Sequence, residues 1–388
     1  MRKQLLSILK SDFAKSSSLI FVAVVIANLI IFLANLYISR AVGPDDFGLF
    51  KTIIYLFSFF PLIIDLGVNF TLTKYIAEFR SNFKEKIGYM IRWLFKIKIL
   101  SYLVLVFIFL VFEEQVATIL LKDASLSYLI IPSVLLTFFT IFSTFEAIVI
   151  GFQKFKLYAI SQFLTLTISS VLGILLLPFG LFYAILGWGL GPLFGNLFNI
   201  KFFFENKSIK STKEFDVRSI FYRFSIPMLL TNIPVGLASL IVPLLSLFFA
   251  SIMVGYFSFA FIFYFAALLI PNSLSIVLFP KISELNGLKK HTDAKNFLKR
   301  TFVIYTPIVL IGILIVILFS EQIINLISKE YLPSLFMFKV LISLGLIFGY
   351  NIIYTNYLRG LGRIKLFALL TLIQNLLLIA ISFIIITT

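Results

Sequence analysis

The two halves of this chain carry the same string of landmarks, about 207 residues apart. The first copy is Gly48, Ile76 with Glu78, Glu114 with Gln115, then Gly151, Lys154 and Lys156. The second is Gly255, Ile282 with Glu284, Glu321 with Gln322, then Gly360, Arg363 and Lys365. The offsets run 207, 206, 207 and 209. A period this long marks one structural module used twice, which restricts the architecture before any residue has a role.

The module is built for lipid. Hydrophobic residues make up 61% of the chain and charged residues 13%, with 48 Phe and a mean hydropathy of +1.08. Apolar stretches of about 18 residues or more recur along the whole length, each able to cross a bilayer as a helix. Eleven spans are predicted, at 17–39, 48–71, 91–112, 127–150, 158–177, 181–204, 224–249, 254–279, 301–320, 334–357 and 364–386. The first is too long for a removable signal peptide and lacks its small-residue cleavage site. The fold expected is an all-α integral membrane protein. With no cysteine, disulfides and thiolate metal sites are excluded.

A net charge of +16 would suggest nucleic acid in a soluble protein. Here the basic residues fall in alternate loops, where they set topology, and no nucleic-acid partner is implied. The N-terminus and the loops after spans 2, 4, 6, 8 and 10, with their helix ends, hold 28 of the 33 Lys and Arg, including Arg2, Lys3, Lys10, Lys207 and Lys210. The other five are Arg40, Lys51, Lys122, Lys329 and Lys339. That asymmetry predicts a cytoplasmic N-terminus.

An even number of spans per module keeps both modules in one orientation, so the halves are read as parallel repeats. The expected organisation is an N-lobe over 1–204 (spans 1–6), a cytoplasmic linker over 205–223 and a C-lobe over 224–388 (spans 7–11). The linker turns amphipathic at Val217–Phe224, as a helix lying on the inner leaflet would. The repeat places a partner for span 6 at about 390–413, beyond Thr388, so a twelfth span is expected to be missing from this sequence.

The segment Ile38-Ser39-Arg40-Ala41-Val42-Gly43-Pro44-Asp45-Asp46-Phe47-Gly48, followed by Ile64-Asp65-Leu66-Gly67, resembles the N-terminal signature of Wzx-like polysaccharide-export flippases of the multidrug/oligosaccharidyl-lipid/polysaccharide (MOP) superfamily. Val254-Gly255-Tyr256-Phe257, Phe279-Pro280-Lys281-Ile282-Ser283-Glu284 and Leu358-Arg359-Gly360-Leu361-Gly362-Arg363 extend the likeness through the second half. The resemblance implies a cell-membrane transporter. Its cargo would be a polyprenyl-diphosphate-linked oligosaccharide, moved from the inner to the outer leaflet by alternating access around a cationic cavity. Such flippases usually have twelve spans, and this sequence departs from that.

Against that expectation the charged residues sort as follows. Arg40, at the outer end of span 1, either snorkels to the interface or meets the diphosphate. Lys51 and Lys339 lie about a turn inside spans 2 and 10, where an embedded charge faces a cavity or snorkels out. Arg92, at the inner end of span 3, snorkels, guides a phosphate, or pairs with Asp65 or Glu146. Those two carboxylates, in the inner halves of spans 2 and 4, are candidates for H+ or Na+ coupling or for structural ion pairing. Asp46 is a plausible N-cap of span 2. Pro227, Pro234 and Pro243 in span 7 each remove a helix hydrogen bond and suggest a gating hinge.

No metal-ligand cluster and no phosphate-binding glycine loop occur in the sequence, so no cofactor is implied and ATP hydrolysis is not expected. A multidrug or cation antiporter of the same superfamily is the nearest alternative, but the spans are poor in acids. A peptidoglycan-precursor flippase is a third reading within the superfamily. A membrane glycan polymerase or glycosyltransferase would need a sizeable outer loop, and the outer loops here are short.

Overall fold

The structure is a computed structural model that describes residues 12–206 and 213–387. The N-terminal charges Arg2, Lys3 and Lys10 and the linker charges Lys207 and Lys210 lie outside the described residues. In chain order the helices are α1 (Asp12–Asp65), α2 (Val68–Asn82), α3 (Lys84–Val111), α4 (Glu113–Leu120), α5 (Ile130–Phe139), α6 (Ser143–Gly151), α7 (Phe155–Leu176) and α8 (Leu181–Gly195). They continue as α9 (Leu197–Glu205), α10 (Val217–Ile220), α11 (Ile226–Gly236), α12 (Ile241–Ser246), α13 (Ser251–Gly287), α14 (His291–Ile327), α15 (Leu335–Gly360) and α16 (Ile364–Ile386). No β-strand occurs among the described residues.

Nine helical runs among the described residues are long and apolar enough to cross a membrane. They carry ten of the eleven predicted spans, because Val25–Asp65 holds the first two. The remaining span, predicted at 127–150, is split into α5 and α6 by a 3₁₀ turn at Thr140–Phe142. Within α1 the two arms meet at Gly43, whose φ of 76° and ψ of 174° are outside the helical range. Pro44 then opens the second arm, where its missing N–H costs nothing. Asp46 therefore sits inside the first turn and not at the cap expected of it, where its charge still complements the helix dipole. The second arm ends at Leu66 and Gly67, both left-handed, with φ of 48° and 75°. Asp216 caps α10 through Ser219 N at 3.0 Å, and a π turn at Phe221–Ser225 carries the chain on into α11.

By contact the chain divides into two compact units. The first takes Met1–Ala34, Phe57–Ile119 and Asp123–Leu230. The second takes Asn35–Leu56, Leu120–Lys122 and Thr231–Thr388.

In the first unit, Val68, Leu72 and Ile76 of α2 bury against Ile87, Ile91 and Leu94 of α3 and Ile148 of α6, with Val217 and Phe221 joining the same cluster. Gly151 ends α6 directly on Ile76, where a Cβ would come within 2.8 Å of the Ile76 Cβ. The following turn puts Gln153 at φ 59°, with Lys154 N donating to Val149 O at 3.0 Å. Helices α7 and α8 pack through a stripe of small residues, Gly187, Gly191 and Gly195, against Leu172, Ser169 and Thr165. Four-residue spacing keeps the stripe on one face and lets the backbones approach closely. Gly191→Leu is expected to destabilise the protein by about 1–3 kcal/mol, as overpacking does. Thermal unfolding in detergent reads this, with Gly287→Leu as control, because nothing lies within 4 Å of a Cβ there.

In the second unit the turn recurs. Gly360 ends α15 on Ile282, where a Cβ would come within 2.9 Å of the Ile282 Cβ. Gly362 takes φ 76°, and Arg363 N donates to Leu358 O at 2.9 Å. Gln153 thus holds, in the first copy, the left-handed position that glycine holds in the second. The 35–56 part of α1 crosses α13 at Gly48 and Gly255. A Cβ on Gly48 would collide with the Ser251 carbonyl, and one on Gly255 with the Pro44 carbonyl. Ser251 is the repeat counterpart of Pro44, so the two contacts are related by the same offset as the sequence. Beside the crossing, Tyr331 stacks on Phe259 at 4.2 Å and donates its hydroxyl to Ser39 O at 2.9 Å.

Candidate functional site

Four charged side chains are buried among the described residues: Lys51, Asp65, Lys98 and Glu146. Three belong to the first unit. Asp65 ends α1, and its carboxylate accepts the backbone N–H of Asn69 at 3.1 Å, closing the first turn of α2. Lys98 of α3 donates to its other oxygen at 2.9 Å. The same ammonium reaches Thr144 Oγ1 at 2.8 Å and Asn69 Oδ1 at 3.2 Å. These acceptors use the ammonium's donors and hold the carboxylate in a fixed position.

Lys98, and not Arg92, is therefore the partner of Asp65. Arg92 lies six residues nearer the start of α3 and is exposed. The signal for Lys98 was present in the sequence: it interrupts the apolar run Ile97-Lys98-Ile99-Leu100, and an embedded charge needs a partner at depth.

Glu146 of α6 has a different environment. Its Oε2 accepts from Gln162 Nε2 at 2.6 Å. Its Oε1 accepts from Asn196 Nδ2 at 3.0 Å and lies 3.3 Å from Ser161 Oγ. Ser161 Oγ is also 3.2 Å from Asn196 Oδ1. Asn199 Nδ2 donates to that same amide oxygen at 2.8 Å, while its own Oδ1 is buried without a partner. No Lys or Arg forms an ion pair with Glu146 among the described residues.

The remaining candidate cations are spread over the structure. Lys51 is buried in the second unit, bonded to Asn35 Oδ1, with the rings of Phe47, Tyr55 and Phe50 at 5.4, 5.5 and 5.8 Å. Ring faces stabilise an ammonium that has left water. In this arrangement Lys51 ties the two arms of α1 together. Arg40, also in the second unit, is exposed, and Lys339 is half-buried.

Span 7 is the most interrupted of the runs. Its π turn ends just before Pro227, a 3₁₀ turn at Leu237–Leu240 follows Pro234, and Pro243 lies in α12 beyond it. Asn375 Nδ2 reaches the Pro234 carbonyl at 2.6 Å, so an α16 side chain serves the backbone beside the break. The chain passes from the first unit to the second after Leu230, between Pro227 and Pro234.

All-helical and with nine helical runs long and apolar enough to cross a membrane, the described residues have the architecture of a multi-pass membrane protein. The family model for polysaccharide biosynthesis proteins matches residues 13–286, more than half of the chain, and the chain belongs to that family. Among solved structures, the inward-facing form of a multidrug resistance MATE family transporter of the MOP superfamily superposes with a TM-score of 0.73 at 14% identity, over 90% of this chain and 84% of that one. The lipid II flippase MurJ, in an inward closed conformation, gives 0.70 at 16% identity, over 89% and 76%. An outward-facing MATE transporter gives 0.63 at 14% identity, over 97% and 89%. At these identities the likeness establishes the fold. No curated protein matches the sequence.

Proposed function

We propose that this protein carries a polyprenyl-diphosphate-linked oligosaccharide from the cytoplasmic to the outer leaflet of the cell membrane, with its N-terminus in the cytoplasm. Membership of the polysaccharide biosynthesis family, on a transporter fold, is the observation that carries the reading. The charge pattern agrees with it. Asp65 is paired with Lys98, so it offers no free acidic site for an organic cation. Arg40, Lys339 and Arg92 keep exposed surface and have the sign to hold a diphosphate through charge-assisted hydrogen bonds. The prolines of span 7 supply the flexible segment that alternating access requires.

Binding tests the substrate class. The purified protein in nanodiscs should bind a short-chain polyprenyl-diphosphate disaccharide and ignore the matching neutral polyprenyl glycoside. Arg40→Ala and Lys339→Ala should each weaken the diphosphate by about tenfold, the worth of one charge-assisted bond. Equal binding of the neutral lipid, or no loss in either variant, contradicts the assignment of a diphosphate to these residues.

A further inference from the structure

We propose that Glu146 is the proton-carrying group of this transporter, held both ionised and protonated by hydrogen bonds that Ser161 and Asn196 can rearrange. The proposal deepens the transport reading above and rests on it only for its coupling to cargo.

Among the described residues, the first unit buries two carboxylates, Asp65 and Glu146, and one ammonium, Lys98. Lys98 is committed to Asp65 at 2.9 Å. One negative charge is left over inside an apolar lobe, and an uncompensated carboxylate there takes up a proton or a cation to avoid the cost of its charge. The other titratable groups that face Glu146 are Lys98 from α3 and Tyr158 from α7, with Asp65 behind Lys98. From the junction of α8 and α9, Asn196 reaches it, with Asn199 of α9 behind, bonded to the Asn196 amide oxygen.

Gln162 and Asn196 both turn N–H groups toward the carboxylate, donors that serve its oxygens in either protonation state. Ser161 Oγ sits 3.3 Å from Glu146 Oε1 and 3.2 Å from Asn196 Oδ1, with one hydrogen to share between them. When Glu146 is ionised, Ser161 donates to it. When Glu146 is protonated, its O–H donates to Ser161 Oγ and the serine hydrogen turns to Asn196 Oδ1. A hydroxyl has one donor and two lone pairs, so both states are fully bonded and the switch is one hydroxyl rotation. Asp65 lacks this hydroxyl partner and is bonded to the Lys98 ammonium instead.

Infrared difference spectra of the protein in nanodiscs, with carbon-13 in its Glu side chains, read the proton directly. The expected result is a protonated-carboxyl band at neutral pH that vanishes in alkali. It should be absent from Glu146→Gln and retained in Asp65→Asn. Ser161→Ala should move the band to higher frequency, since the O–H loses its acceptor, and this variant serves if Glu146→Gln does not fold. In vesicles loaded with the lipid-linked glycan, a pH gradient of one unit offers a factor of about ten per proton. Wild type should be accelerated by it, and Glu146→Gln should flip at a rate indifferent to it. A missing band, acceleration retained in Glu146→Gln, or acceleration that follows Na+ in place of pH overturns the proposal. A titrating band in a wild-type protein that moves no glycan leaves the proton site standing and overturns the cargo reading.

Discussion

Lys98→Ala is expected to cost about 3–5 kcal/mol of stability, the loss typical of removing one partner from a buried ion pair. The variant leaves the Asp65 carboxyl without its counter-charge in an apolar lobe, and Asn69 Oδ1 and Thr144 Oγ1 lose their donor. Asp65→Asn should cost less, because the amide oxygen still accepts from the Asn69 backbone and from Lys98. Replacing both residues with apolar side chains of similar volume, Lys98→Met with Asp65→Leu, should recover most of the loss, since neither desolvated charge remains. Thermal unfolding of wild type and the three variants in one detergent ranks them. A Lys98→Ala protein as stable as wild type contradicts a buried, committed pair.

The second large effect is at the crossing of α1 and α13. Gly255→Val places two methyl groups where the Pro44 carbonyl lies, and Gly48→Val does the same to the Ser251 carbonyl. Backbone on both sides leaves no flexible side chain to give way, so each variant is expected to lose more than about 3 kcal/mol, the upper range of overpacking. The two losses should be similar, because the contacts are repeat images of each other. Gly255→Ala should be milder but still clearly destabilising. The readout is the yield of monodisperse protein and its melting temperature. Wild-type behaviour of Gly255→Val removes the crossing from the account.

Much of this architecture is legible in the chain. The repeat offsets announce a duplicated module, and the turns after Gly151 and Gly360 show it in three dimensions, bond for bond. Hydropathy locates the spans because a bilayer demands about 20 apolar residues per crossing. The breaks are less visible. Gly43-Pro44 reads as a loop, yet a single non-helical residue suffices to turn the chain there. The split of 127–150 at Thr140–Phe142 leaves no mark, since Thr, Ile and Phe suit an unbroken span equally well.

The site follows the same division. Asp65 and Glu146 stand out as acids in apolar spans, but nothing in the sequence separates a carboxylate bonded to an ammonium from one bonded to amides and a hydroxyl. The difference lies in which helices deliver Lys98 to the first and Ser161, Gln162 and Asn196 to the second. Lys98 was readable by the rule that singled out Lys51. The Gly187, Gly191 and Gly195 stripe was readable from its four-residue spacing. The enclosure of Lys51 by Phe47, Phe50 and Tyr55 was not, because in a chain with 48 Phe no single ring carries information.

The most direct measurement is transbilayer movement of cargo. Vesicles carrying the purified protein and a fluorescent polyprenyl-diphosphate oligosaccharide in the inner leaflet are exposed to an external glycosidase, and the rate of glycan cleavage is followed. The account predicts cleavage many times faster than in protein-free vesicles, slowed in Arg40→Ala and Lys339→Ala. Cleavage at the protein-free rate, together with gradient-driven efflux of an organic cation from the same vesicles, would contradict it and make this a drug transporter.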